Sequence, residues 1–103
     1  VVMSELHTVN KSPFEKSSFD SCLGHVLDGS AVLLYEDGVY AAIKGTAMEG
    51  KVKSAQGVNF YVLGPDMKAR GIGAERLTDG IEIVDYAGFV DLATEHEKVV
   101  AWV

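Results

Sequence analysis

One cysteine, two prolines and one tryptophan are all that 103 residues contain of three structurally decisive types. A single thiol excludes an internal disulfide, and it is compatible with a reducing compartment. No apolar run approaches the length of a membrane span, and no basic region followed by an apolar stretch opens the chain as a signal peptide would. Base is scarce as well: nine Lys and Arg stand against 15 Asp and Glu, a formal charge of −6. Phosphate backbones demand clustered Lys and Arg, so direct binding of tRNA or DNA is not expected. Repeats, low-complexity tracts and linkers are all missing. These absences point to a single domain over residues 1–103, in the cytoplasm, with no membrane and no nucleic acid as partner. Its 48% hydrophobic and 23% charged residues suit an ordinary folded core.

What is present is an alternation of short apolar runs with amphipathic or breaker-rich stretches. Leu6–Val9, Ala31–Tyr35, Phe60–Leu63, Ile81–Val84 and Val99–Trp102 are strand candidates. Several are almost continuously apolar, as in parallel strands covered on both faces. The first runs straight into Ser12-Pro13-Phe14-Glu15, a capping box with proline at the first helical position. A strand feeding a helix start is the opening unit of a wound α/β sheet. It places Asn10, Lys11 and Ser12 at the carboxyl end of the first strand, where open sheets put their sites. The expected fold is three-layer α/β, a mainly parallel sheet of about five strands with helices on both faces.

Phe19, Cys22, Leu23, Val26 and Leu27 form a helical stripe that Asp28-Gly29 would end. Glu36-Asp37-Gly38 admits two readings, a hairpin turn returning through Val39–Ile43, or Asp37 capping a helix through Tyr40, Ala41 and Ala42. Gly64-Pro65-Asp66 opens a short helix, with Lys68 and Arg70 near its end and Gly71 beyond. Arg70–Gly73 reads as a flexible loop able to make contacts. Asp85 is placed to cap a last helix with the stripe Tyr86, Phe89, Val90 and Ala93. The wholly apolar Val99–Val103 end belongs in a sheet or a subunit interface.

Few residues offer chemistry. Cys22 is the one candidate for a sulfur-binding thiol, but its stripe turns it toward the core or an interface, where apolar surroundings raise a thiol pKa. His25, three residues on, would lower that pKa only if both side chains faced solvent. His7 reads as a hydrogen-bonded histidine in or at the edge of the sheet rather than a ligand. No His, Cys and Asp spacing describes a metal site, and neither GxxxxGK[ST] nor GxGxxG occurs, which weighs against a flavodoxin-like nucleotide binder. Ser12 lacks a GxSxG context. Neither a metal nor a cofactor is expected.

The stretches LHTVNKSPF, LYEDGVYAA, YVLGPDMKARG and VDYAGFVDLATEH, within a match running from Leu6 to Trp102, resemble the DsrH/TusB family. The resemblance implies the helical reading after Glu36. It further implies an accessory, non-catalytic subunit of a sulfur-relay complex, assembled with DsrE-like and DsrF-like paralogues as a heterohexamer. That complex would exchange sulfur with a DsrC-like carrier in sulfur oxidation. The alternatives are a TusB-like subunit of the relay for tRNA wobble-uridine 2-thiolation, and a direct persulfide carrier through Cys22. In this family the persulfide cysteine sits on a DsrE-type or TusD-type subunit, in a loop that this chain does not match with a cysteine.

Overall fold

β-Branched and leucine-rich segments too short and too uniformly apolar for amphipathic helices pair side by side in the computed structural model, which describes residues 5–26, 28–55 and 57–103. The strands are β1 (Glu5–Val9), β2 (Ala31–Leu34), β3 (Asn59–Leu63), β4 (Ile81–Val84) and β5 (Lys98–Trp102). They form one sheet in the order β4-β3-β2-β1-β5, every neighbouring pair parallel. All five expected strands are present, within a residue of their expected bounds. The helices are α1 (Ser18–Leu23), α2 (Ala47–Ser54), α3 (Gly64–Ala69) and α4 (Tyr86–Glu95), with a 3₁₀ helix over Glu36–Ala42 and a shorter one over Ala74–Arg76.

Handedness explains the layers. The chain steps β1, β2, β3, β4 in one direction and then returns across the sheet to place β5 beside β1. Right-handed crossovers therefore put the first three connections on one face and α4 on the other. Burial follows this division. Val9, Val32, Leu34, Phe60 and Val62 pack with Phe19, Cys22, Val39, Met48, Val52 and Met67. The alternate residues Leu6, Ala31 and Leu33 pack with Leu92, Phe89 and Ala93 of α4. The result is the expected three-layer α/β fold.

Five local expectations change. Ser12 does not start a helix: its Oγ accepts from the Phe14 N–H at 3.2 Å and its carbonyl from Glu15 and Lys16, making one isolated turn. A single turn needs a buried face to propagate, and Phe14, the only large apolar residue in it, is 59% exposed. α1 begins only where Phe19 can reach the sheet, and it ends at Gly24 rather than at Asp28-Gly29. Phe19 and Cys22 are buried and Leu23 and Val26 half-buried, while Leu27 lies outside the described residues. After β2 the chain is helical, as a 3₁₀ helix, but Asp37 does not cap it; Tyr35 occupies that position. In α4, Phe89 and Ala93 face the sheet together with Leu92, whereas Tyr86 and Val90 turn outward. The Arg70–Gly73 segment is well anchored. Gly71, at φ +69°, and Ile72 close a Schellman motif onto Lys68 and Met67, and Ile72 is buried.

Candidate functional site

The carboxyl ends of β1 to β4 gather the polar residues that the fold can present. The backbone after β2 comes down onto the end of β1, where Tyr35 N–H donates to the Val9 carbonyl at 3.1 Å. Gly38 lies so close to that carbonyl that a Cβ would collide with it. Just before it, Glu36 takes a left-handed backbone at φ +47°, and its N–H donates to Asp66 Oδ2 at 2.6 Å. Such a conformation in a glutamate persists only where surrounding contacts hold it. The next residue, Asp37, accepts from Arg70 Nε and Nη2 at 3.0 and 2.9 Å, and Arg70 Nη1 donates to the Asp66 carbonyl. Asp66 and Arg70 of the β3–α3 segment thus hold the strained turn after β2.

Two hollows open along this edge. One, of about 390 Å³, is lined by Ser12, Phe14, Glu15, Asp37 and Tyr40. The other, of about 430 Å³, is lined by Gly64, Pro65, Ile83, Val84, Asp85 and Gly88. The second sits where the connection after β3 leaves on one face and that after β4 on the other, the crevice in which open sheets bind ligands. Its chemistry is poor for an anion. Asp85 is acidic and already accepts from the Gly88 N–H at 2.8 Å, and Pro65 offers no N–H. Asn10, at the end of β1, keeps a buried Oδ1 without a hydrogen-bond partner. Lys11 is exposed and Ser12 buried.

Cys22 stands apart from this edge. It is fully buried against Phe19 and the strand residues, and burial pushes its thiol up to about 12. His25 turns away from it, its Nδ1 donating to the Ser21 carbonyl at 2.8 Å and its ring tilted over Trp102 with centroids 5.4 Å apart. The stripe therefore does not bring imidazole and thiol together.

A network that the sequence does not announce joins β1 to β5. Trp102 Nε1–H donates to His7 Nδ1 at 2.9 Å, which requires that nitrogen to be unprotonated. His7 Nε2 then donates to Glu5 Oε1 at 3.1 Å, and Lys98 Nζ lies 4.0 Å from the other Glu5 oxygen. His7 is buried, as its alternation on β1 suggested. Its partners were not legible, because Trp102 is 95 residues away and becomes a neighbour only through strand register.

On the α4 side, Tyr61 faces a shallow acidic pocket with Glu82, Asp91 and Glu95. Burial first, and then the charges of Glu82 and Glu95, hold its phenol above the ordinary value. Among the described residues no three His, Cys, Asp or Glu side chains converge as metal ligands, and no helix is long and apolar enough to cross a membrane.

Comparison with known proteins gives consistent matches. The model of the family described as DsrH like protein matches residues 11–99. Protein TusB of Pectobacterium parmentieri is 38% identical over 97 residues, covering 94% of this chain and 99% of that protein. Protein TusB of Escherichia coli strain K12 is 33% identical over the same coverage. Among solved structures, the ychN protein of E. coli superposes with a TM-score of 0.84 at 19% identity, covering 97% of this chain and 99% of that one. A protein of unknown function from Methanobacterium thermoautotrophicum gives 0.80 at 18% identity, with the same coverage.

Proposed function

The chain belongs to the DsrH-like family, and on that premise we propose that it is an accessory subunit of a cytoplasmic sulfur-relay complex. In this reading it holds and docks paralogous subunits, while the sulfur travels on a partner's cysteine. The observation that carries the reading is the state of its one thiol. Sulfane sulfur moves when a thiolate attacks the outer sulfur of a persulfide, forms a new S–S bond and releases the donor thiolate. Cys22 is sealed in the core and strongly disfavours the thiolate. Reaching it would require α1 to lift from the sheet. Cys22 therefore packs as a small hydrophobe.

The partners we propose are DsrE-like and DsrF-like paralogues, two copies of each with two of this chain, exchanging sulfur with a DsrC-like carrier in sulfur oxidation. A second reading, a subunit of the relay for tRNA 2-thiolation, is favoured by the TusB names of the relatives. Deleting the gene separates the two, through loss of sulfur-oxidation capacity or loss of 2-thiouridine.

The deciding experiment uses the co-expressed complex with Cys22→Ala. Native mass spectrometry should find the same assembly, and transfer of sulfane sulfur to the carrier should stay within about twofold of the unmutated complex. Loss of transfer from an intact assembly would establish Cys22 as the persulfide carrier instead.

A further inference from the structure

Among the described residues His7 is the only buried imidazole, and imidazole is the side chain that changes charge between about pH 5 and 8. Its two nitrogens are committed in opposite senses. Nε2–H donates to Glu5 Oε1 at 3.1 Å, and Nδ1 accepts from Trp102 Nε1–H at 2.9 Å. An indole nitrogen only donates, so the second bond exists only for the neutral ring. A proton on Nδ1 sets one N–H against another.

The partners of His7 belong to different strands. Glu5 rides on β1 with it, whereas Trp102 and Lys98 come from β5, an edge strand that pairs with β1 alone. This division fixes the direction of the effect. Attraction between a protonated His7 and Glu5 is available whether or not β5 stays in place. What β5 adds is unfavourable to the cation. It aims an indole N–H at Nδ1, brings the Lys98 ammonium to 4.0 Å from the other Glu5 oxygen, and sets the Trp102 ring beside an imidazole that is only 2% exposed. All three are relieved when the end of β5 lifts.

The other elements around His7 bring no charge that reverses this balance. β2 presents the uncharged Ala31–Leu34, and α1 presents Cys22, a thiol held neutral by burial. Asp20 of α1 is engaged by Lys51 at 2.7 Å. His25, exposed in the turn after α1, holds its ring over the indole. Its Nδ1 donates to the Ser21 carbonyl, a bond that protonation leaves intact.

We propose that the hydrogen bond between His7 and Trp102 is a pH-sensitive latch on β5. It holds the carboxyl-terminal strand to β1 while His7 is neutral, and proton uptake by His7 loosens that strand from the sheet. The latch is independent of the subunit reading above.

The test follows amide hydrogen exchange of the full chain by NMR at about pH 7.5 and about pH 5.5, with both imidazole rings titrated in the same samples. Each rate is divided by the intrinsic rate at its pH. Losing one hydrogen bond should lower the protection of β5 amides roughly three- to tenfold at the acid pH, with β2 and β3 unchanged. His7→Asn keeps an acceptor oxygen near the place of Nδ1 but cannot titrate, so β5 protection should become independent of pH. Trp102→Phe removes the donor, and its β5 should be poorly protected at the higher pH and lose little more at the lower. His25→Asn should keep the parent's pH dependence. Protection of β5 that stays constant while the His7 ring titrates overturns the latch, as does a loss shared equally by β2 and β3. A pH dependence that survives His7→Asn, or that vanishes in His25→Asn, also overturns it. If His7→Asn does not fold, Trp102→Phe decides alone: a further loss on acidification equal to the parent's overturns the latch.

Discussion

Thiol reactivity of Cys22 offers the sharpest quantitative test of the buried-thiol argument. At pH 8 an ordinary thiol of pKa 9.0 is about one-tenth thiolate, whereas one pushed to about 12 is ionised in only about one molecule in ten thousand. The native protein should therefore react with an aromatic disulfide reagent at least ~1,000-fold more slowly than the denatured chain, before steric exclusion by the core is counted. The same shift makes stability depend on pH. The folded state holds the proton more tightly than the unfolded state, so the contribution is complete below pH 9. It is then lost as pH rises from 9 toward 12, by about 1.4 kcal/mol for each unit. Cys22→Ala removes this dependence and costs ~1 kcal/mol at neutral pH through lost packing. The stabilities of parent and variant, measured by urea denaturation over a pH series, should therefore cross near pH ~10, with the variant more stable above it. Comparing the two proteins cancels the titration of tyrosines and lysines in that range. Labelling of a folded parent within about tenfold of the denatured rate would refute the reasoning, as would parallel stability curves up to pH 11.

Gly38→Ala drives a Cβ into the Val9 carbonyl with no flexible side chain to give way; it should cost several kcal/mol, roughly the upper range for single substitutions, and show as a large drop in thermal midpoint. Trp102→Phe keeps a ring between His7 and His25 but removes the donor to His7 Nδ1; a loss of ~1 kcal/mol and faster amide exchange in β5 are expected, and unchanged exchange there would remove the network's role. Isolated chain at micromolar concentration should leave tRNA unshifted in a gel at physiological salt, because its net charge is −6 and its Lys and Arg form no stripe.

The five strands were legible because each is a local apolar run of the right length, and local hydrophobicity is what decides that a segment must be buried. The Asp85 cap, the Gly71 helix stop and the interior position of Cys22 were equally readable, since capping and helical spacing involve residues within one or two turns. Alternation likewise placed His7 in the sheet. The false helix at Ser12 shows the limit of such local signals. Its capping residues are all present, but whether a turn propagates depends on finding a surface to bury against, and the sheet meets the chain only at Phe19. Which partners His7 receives, which residue steadies the strained Glu36 turn, and which flank of α4 is left bare all depend on strand order and helix rotation. Those follow from right-handed crossovers that carry the chain back across the sheet to set β5 beside β1. The charge of −6 was visible in composition. Where the surplus carboxylates stand was not: Glu82, Asp91 and Glu95 come together beside Tyr61 only because α4 packs back over the sheet with that flank toward β4.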